Sequence, residues 1–278
     1  MHGSVTIFGA GEIGKALGKL LSQNGLVVNI YDKNSIVENL SDIIFLCVPT
    51  IAIAEVADKI KPLLKRENIV ISVSKGLDSE GHATYQIMQN LFGNYSNSVV
   101  LGGPMIAEEI DKDLESSAML AAHNIEVFNK VSEIFSITKF SLDYTDDVIG
   151  VSLCGVLKNI YSIALGSIEG KKLGSNAKGR YVTQIVKEMG DLITYFGGKK
   201  ETVYTLAGLG DLIATGFSVN SSNFQVGVDL AVFGKTDRKS EGLLALPLFI
   251  KKIEDINKYP VLKETANLVL NFSPVVEV

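Results

Sequence analysis

A lysine inside an apolar run is the first residue of chemical interest. Residues 151–170 read VSLCGVLKNIYSIALGSIEG, and Val151, Cys154, Val156, Leu157, Ile160, Ile163 and Ala164 recur at the spacing of a long, largely buried helix. Lys158, followed by Asn159, breaks that pattern. A helical lysine ordinarily carries its ammonium out to water along a polar stripe. Held instead in a cleft, the same amine can pass a proton to and from a substrate oxygen. A second constellation lies near the start of the chain. VTIFGAGEIGKALGKLL places Gly9, Gly11 and Gly14 in G-x-G-x-x-G spacing between a strand pattern and a helix pattern. The first glycine permits a tight turn, the second lets the backbone approach a pyrophosphate, and the third allows close helix–strand packing. The helix N-terminus offers free N–H groups to the phosphates. A second strand, VVNIY, ends at Asp32, about 20 residues further on, where a carboxylate accepts from ribose hydroxyls and repels a 2′-phosphate. Together these residues predict a dinucleotide cofactor, NAD in preference to NADP, with Lys33 opposing that preference.

Such residues need a scaffold. Apolar strands are predicted at Val5–Phe8, Val27–Tyr31, Ile43–Val48, Ile69–Val73, Val99–Leu101, Ala118–Ala121 and Thr138–Leu142, most of them separated by helical patterns. That alternation predicts an α/β fold with a Rossmann-like, doubly wound, mostly parallel N-terminal domain. Ligands of open sheets bind beyond the carboxyl ends of the strands, so Lys75 in ISVSKG is either a loop lysine in solvent or a group over the cofactor crevice. LGGPMIAEEI likewise brings Gly102, Gly103 and a helix start toward that space. From about Tyr144 onward helical periodicity with Gly-rich breaks takes over, which predicts an all-helical C-terminal domain. The expected division is 1–144 and 145–278, with the change of character between Leu142 and Asp147.

The chain has 278 residues, 46% hydrophobic and 21% charged, with a net charge of −5, so it offers no general field for nucleic acid. DIIFLCVPTIAIAEVA is interrupted by Pro49 and too short to span a bilayer as an uninterrupted helix. The N-terminus enters a strand pattern at once, and a cytoplasmic location is expected. Cys47 and Cys154 each sit in apolar runs and read as buried small hydrophobes, with no metal site implied.

The landmarks GAGEIG, VSKG, GGPMIAEE, LCGVLKNIYSIALG, LGSNAK, AGLGDLIAT and SEG, in that order, resemble the NAD(P)-dependent glycerol-3-phosphate dehydrogenase family along nearly the whole chain. The resemblance implies Lys158 as catalytic acid/base between dihydroxyacetone phosphate and sn-glycerol 3-phosphate, with Asn159, Asp211 and Thr215 in the catalytic cluster. It implies Lys75, Gly103, Ser221 and Asn223 as substrate contacts besides Lys158 and Asp211. Glu12, Ile13, Ala107 and Glu241 would join Gly9, Gly11, Gly14, Asp32 and Lys75 around NAD. It also implies a homodimer serving glycerophospholipid synthesis. Physically, burial and a second cation would lower the Lys158 pKa, while Asp211 would oppose that shift and orient the amine. Asp211 and Thr215, four apart, can share one helix face.

Three positions depart from the family pattern. Ser222 stands where an arginine grips the substrate phosphate, Met105 where bacterial members carry a serine, and Gln184 where many carry an arginine. Lys75 and Arg180, the latter one turn before Gln184, are the candidate replacement cations. These departures leave open a related dehydrogenase of another small keto compound, and a catalytically silent nucleotide-binding protein.

Overall fold

The strands divide their side chains between two faces of one sheet. Val5, Ile7, Ile43, Phe45, Ile69 and Ile71 pack into one apolar cluster, and Phe8, Ile44, Leu46 and Val70 into another. A sheet covered on both faces explains why these strands read as continuous apolar runs. The computed structural model describes residues 3–93 and 97–272. Its sheet comprises β1 (Ser4–Phe8), β2 (Val27–Tyr31), β3 (Ile43–Leu46), β4 (Ile69–Ser72), β5 (Asn97–Gly102), β6 (Ser116–Ala121) and β7 (Phe140–Thr145). The order is β2-β1-β3-β4-β5-β6-β7, parallel except for the β5–β6 pair. All seven expected strands are present, with ends moved by a few residues.

Helices α1 (Glu12–Gln23), α4 (Ala107–Asp111) and α5 (Ile125–Glu133) contribute to one sheet-face cluster through Leu17, Leu21, Ile110, Val127 and Val131. Helices α2 (Ile53–Ile60) and α3 (Thr84–Phe92) cover the opposite face through Ile53, Ala57, Ile60, Ile87 and Phe92. No helix bridges β2 and β3. Residues 33–42 cross β1 as irregular chain, pinned where Ser41 N–H donates to Thr6 Oγ1 and the Asn68 amide donates to Ser41 O.

After β7 every described element is helical: α6 (Val148–Gly170), α7 (Gly174–Tyr195), a π-helical turn at Leu206–Gly210, α8 (Asp211–Gly216), α9 (Ser222–Phe233), α10 (Glu241–Ile250) and α11 (Pro260–Phe272). Helix α6 is the axis of this half, buried without a break from Gly150 to Ile168. Its cluster takes in Val100, Met119 and Ala121 of β5 and β6, so the helical half is built directly onto the sheet. Among the described residues α6 alone is long and apolar enough to cross a membrane, and here 94% of that span is enclosed by the protein.

A buried carboxylate starts this axis. Asp147 caps α6 by accepting from Gly150 N–H at 2.9 Å, and it also accepts from Lys199 N–H and the Thr202 hydroxyl. Asp147→Ala should leave those donors without a partner and cost about 3 kcal/mol, the sum expected for a lost cap and unsatisfied buried groups. Urea unfolding should show a lower midpoint at unchanged slope, and Asp147→Asn should lose less.

Candidate active site

The carboxyl ends of β1, β3, β4 and β5 open onto a cleft of about 650 Å³ lined by Glu12, Ile13, Val48, Lys75, Met105 and Glu241, with Cys47, Pro49, Ser74 and Ala107 completing the wall. β2 lies on one side of β1 and β3 on the other, so the cleft opens at the switch point where open sheets bind ligands. The glycine turn adjoins it, its Glu12 and Ile13 lying in the lining. Gly9 has φ +109°, and a Cβ there would lie 2.2 Å from the Cys47 carbonyl oxygen. A Cβ on Gly14 would lie 1.9 Å from Gly9 O, whereas one on Gly11 would meet nothing within 4 Å. The first and third glycines thus serve packing, and the second faces open space. No side chain caps α1 at Gly11, which leaves the first-turn N–H groups available to an anion. These features fit a dinucleotide pyrophosphate.

Asp32 directly follows β2 and is exposed. Its Oδ1 accepts from the Ser35 hydroxyl and Asn34 N–H, both at 2.9 Å. Those two bonds hold its carboxyl below the usual carboxylate range. Among the described residues nothing donates to Oδ2, so one oxygen stays available for ribose hydroxyls.

The helical half brings a buried lysine and carboxylate to the edge of this cleft. Lys158 is buried, its side chain 8% exposed, and its Nζ lies 3.3 Å from Asp211 Oδ1 and 3.5 Å from Thr215 Oγ1. The other Asp211 oxygen pairs with Lys75 Nζ at 2.6 Å, and Lys75 also donates to Gly103 O at 2.7 Å. Thr215 gives its own proton to Asp211 O at 2.6 Å, which turns its oxygen lone pairs toward Lys158. A Cβ on Gly155 would lie 3.2 Å from the Lys75 stem, so a glycine one turn before Lys158 makes room for the second lysine. Burial chiefly lowers the Lys158 pKa, Asp211 raises it, and the Lys75 charge lowers it again. The result is an amine held below the ordinary lysine value.

Asn159 points the other way along the same helix. Its amide donates to Glu241 Oε2 at 2.8 Å and to Lys75 O at 3.3 Å, and its oxygen accepts from Asn223 Nδ2 at 2.9 Å. Ser221 caps α9, its hydroxyl accepting from Phe224 N–H at 3.4 Å, and Ser222 is exposed in the first turn.

Lys75, Gly103, Lys158, Asn159, Asp211, Thr215, Asn223 and Glu241 are thus brought into one bonded network. Arg180 is not part of it. The guanidinium lies over the Tyr181 ring at 5.3 Å and lines a separate cavity of about 500 Å³ with Gln184, Val261 and Glu264. One turn of α7 does put Arg180 beside Gln184, but their shared face looks toward α11. Arg238 pairs with Asp229 at 2.9 Å, and Arg66 precedes β4 at the end of the sheet away from Lys75. The cleft wall formed by Cys47, Val48 and Pro49 escaped the sequence reading, although it follows β3 as Lys75 follows β4. Cys47 itself is an inert wall group, its thiol pushed up to about 12 by burial.

Two family models match the chain. NAD-dependent glycerol-3-phosphate dehydrogenase N-terminus matches residues 35–128, and NAD-dependent glycerol-3-phosphate dehydrogenase C-terminus matches 147–274. Glycerol-3-phosphate dehydrogenase [NAD(P)+] of Trichormus variabilis is 37% identical over 236 residues, covering 82% of this chain and 76% of the relative. The Fusobacterium nucleatum enzyme of the same name is 32% identical over 266 residues, covering 84% and 79%. The crystal structure of glycerol-3-phosphate dehydrogenase from Coxiella burnetii superposes with a TM-score of 0.86 at 27% identity, covering 97% of this chain and 95% of that one. With both halves matched and the relatives aligned over most of its length, this chain belongs to the NAD-dependent glycerol-3-phosphate dehydrogenase family.

Proposed function

We propose that the protein is an NAD-dependent glycerol-3-phosphate dehydrogenase, interconverting dihydroxyacetone phosphate and sn-glycerol 3-phosphate with Lys158 as acid/base. The observation that carries this reading is the buried Lys158, depressed in pKa, sharing Asp211 with Lys75 beside the dinucleotide cleft. The nicotinamide, when bound, supplies or accepts the hydride. The protein's task is the proton. In reduction, the Lys158 ammonium gives its proton to the ketone oxygen as that oxygen becomes an alkoxide. In oxidation the neutral amine takes it back. Asp211 orients both lysines, and Thr215 offers Lys158 a second acceptor that fixes its direction. Two lysines meet at the Asp211 carboxylate, and their ammoniums are the cations this cluster offers an anionic substrate, with Glu241 the further carboxylate acting on Lys158. An assembled proton donor also speaks against a silent nucleotide-binding role.

On this reading residues 1–144 form the NAD-binding domain and 145–278 the substrate domain, with the last residue of β7 reaching across. We place the protein in the cytoplasm as a homodimer supplying glycerol 3-phosphate for phospholipid synthesis. Its two cysteines are free and buried, which suits a reducing compartment, and two-fold assemblies are the commonest oligomers. Light scattering of the purified chain tests the dimer.

Lys158→Ala should lower the turnover of dihydroxyacetone phosphate reduction by about a hundredfold or more, while NADH affinity changes little. Retention of most turnover would remove Lys158 from the chemistry. The pH dependence has a definite sign. Reduction needs the ammonium, so its rate should fall as pH rises through the Lys158 pKa, below the ordinary lysine range, and oxidation should rise over the same interval. Lys75→Met removes a like charge and frees Asp211 for Lys158, so both limbs should move to higher pH.

Cofactor titrations should favour NADH over NADPH, and Asp32→Ala should narrow the difference chiefly by improving NADPH. Ser222→Arg should lower the Michaelis constant for dihydroxyacetone phosphate about tenfold, the value of a charge-assisted pair, without improving unphosphorylated dihydroxyacetone. An equal effect on both ketones would place Ser222 away from the phosphate.

A further inference from the structure

Lys75 stands on a short strap of chain that leaves the sheet. β4 ends at Ser72, and Val73 N–H still reaches Leu46 O of β3 at 3.2 Å. The backbone groups that follow are taken by side chains instead. Ser74 O accepts from the Thr84 hydroxyl at 3.0 Å, Lys75 O accepts from the Asn159 amide at 3.3 Å, and Gly76 N–H donates to Thr50 Oγ1 at 3.0 Å. The Ser74 hydroxyl donates to Val48 O at 2.7 Å, which fastens the strap to the chain following β3. Thr50, Ser74 and Thr84 are all buried. Thr50 opens the single turn Thr50–Ala52 after β3, and Thr84 opens α3, so the strap is gripped from two different elements. Contact there is tight, since a Cβ on Gly76 would lie 3.0 Å from Thr50 Oγ1.

A flexible lysine stem keeps its ammonium in one place only where its backbone is fixed. The Lys75 stem passes Gly155, and its Nζ bonds both Asp211 Oδ2 and Gly103 O. We infer that Thr50, Ser74 and Thr84 are positioning residues for Lys75, holding the strap from which its ammonium reaches Asp211 and thereby dividing that carboxylate between two lysines. The inference deepens the dehydrogenase reading and rests on it for the role of Lys158. Its consequence has a sign. A strap displaced by about an ångström loosens the bond from Lys75 to Asp211 and moves a like charge away from Lys158. Both changes favour the Lys158 ammonium, so a loosened strap leaves an amine that holds its proton more firmly.

The test follows the Lys158 amine itself, by nuclear magnetic resonance of the full chain made with isotope-labelled lysine, the signal being assigned by its loss in Lys158→Ala. No substrate is needed. The charged groups acting on that amine are Asp211 of α8, Lys75 of the strap and Glu241 of α10, and every hydroxyl variant keeps all three. Thr50→Val leaves Gly76 N–H without its acceptor and should raise the titration midpoint of Lys158 by about half a pH unit. Thr84→Val should raise it as well. Thr50→Ser keeps the acceptor and should titrate as the natural protein does, while Thr50→Ala covers a failure of the valine variant to fold. In a Lys75→Met background Thr50→Val should add nothing, because no ammonium is left to position. Ser41→Ala is the structural control. It removes the buried acceptor of the Thr6 hydroxyl before β3, at the end of that strand away from Thr50, and should lower stability with the midpoint in place. A midpoint unmoved by the Thr50 and Thr84 variants, a rise that persists in Lys75→Met, or an equal rise in Ser41→Ala would each overturn the positioning role. Failure of the dehydrogenase reading looks different: dihydroxyacetone phosphate would go unreduced by the natural protein while the midpoints move as stated.

Discussion

One carboxylate holds two lysines, and much of the molecule is arranged around that pairing. Asp211 is only 1% exposed, a position in which an ionised group without partners would cost several kcal/mol. Its partners come from different parts of the chain: Lys75 follows β4 of the sheet, Lys158 lies in α6, and Asp211 itself opens α8. Satisfying this charge therefore requires the sheet and the helical half to meet in one register. Gly155 leaves room for the Lys75 stem, Gly103 offers its carbonyl to the same ammonium, and Asn159 takes the Lys75 backbone carbonyl. Each contact is small, and together they leave Lys75 little freedom to approach from another direction.

The same pairing sets the reactivity of Lys158. Burial and the neighbouring ammonium both favour the neutral amine, while the shared carboxylate favours the charged one. Asp211 alone would give a salt bridge that keeps its proton, and burial alone would give an amine without one. Dividing a single carboxylate between two lysines leaves the Lys158 pKa below the ordinary lysine value, the direction that suits the reversible proton transfer proposed for it. The cofactor cleft lies beside this cluster because Lys75 lines its wall while its amine reaches the carboxylate.

The architecture was largely legible in the sequence because its signals are local. Short continuous apolar runs separated by helical patterns mark strands, and a glycine fingerprint followed by a helix marks the turn after β1. The lack of a crossover helix between β2 and β3 was not legible, since residues 33–42 are held by Ser41 and Asn68 through partners distant in sequence. The site was legible as a set of residues rather than as a set of bonds. Lys158 stands out because an ammonium contradicts its apolar surroundings. Asn159, Asn223 and Ser221 carry no such contradiction, and whether an amide meets substrate or another amide depends on which helices meet. Arg180 shows the limit of helix spacing, which correctly puts it with Gln184 and says nothing about which cavity that face lines. Glu188 escaped notice for a related reason. It is buried, accepting from Tyr161 Oη at 2.8 Å and from Val261 and Leu262 N–H, so it fastens α11 to α6 and α7. In sequence it looks like any helical glutamate.

Charge balance then connects substrate binding to proton supply. No arginine is bonded to the cluster, so the cations bonded within it are Lys75 and Lys158 themselves. A phosphorylated ketone entering this space brings negative charge close to an amine whose pKa is held down by burial and by Lys75. Added negative charge raises a lysine pKa, in opposition to both of those effects. In the proposed reaction the bound substrate thus favours the protonated form of Lys158, and the neutral form returns most readily when the anion leaves. A site equipped with a permanently charged guanidinium would absorb more of the phosphate charge and leave less of it to act on Lys158. On the proposed reading, anchoring of the substrate by lysines and readiness of the acid are coupled through one electrostatic balance, in which the shared carboxylate of Asp211 is the fixed element.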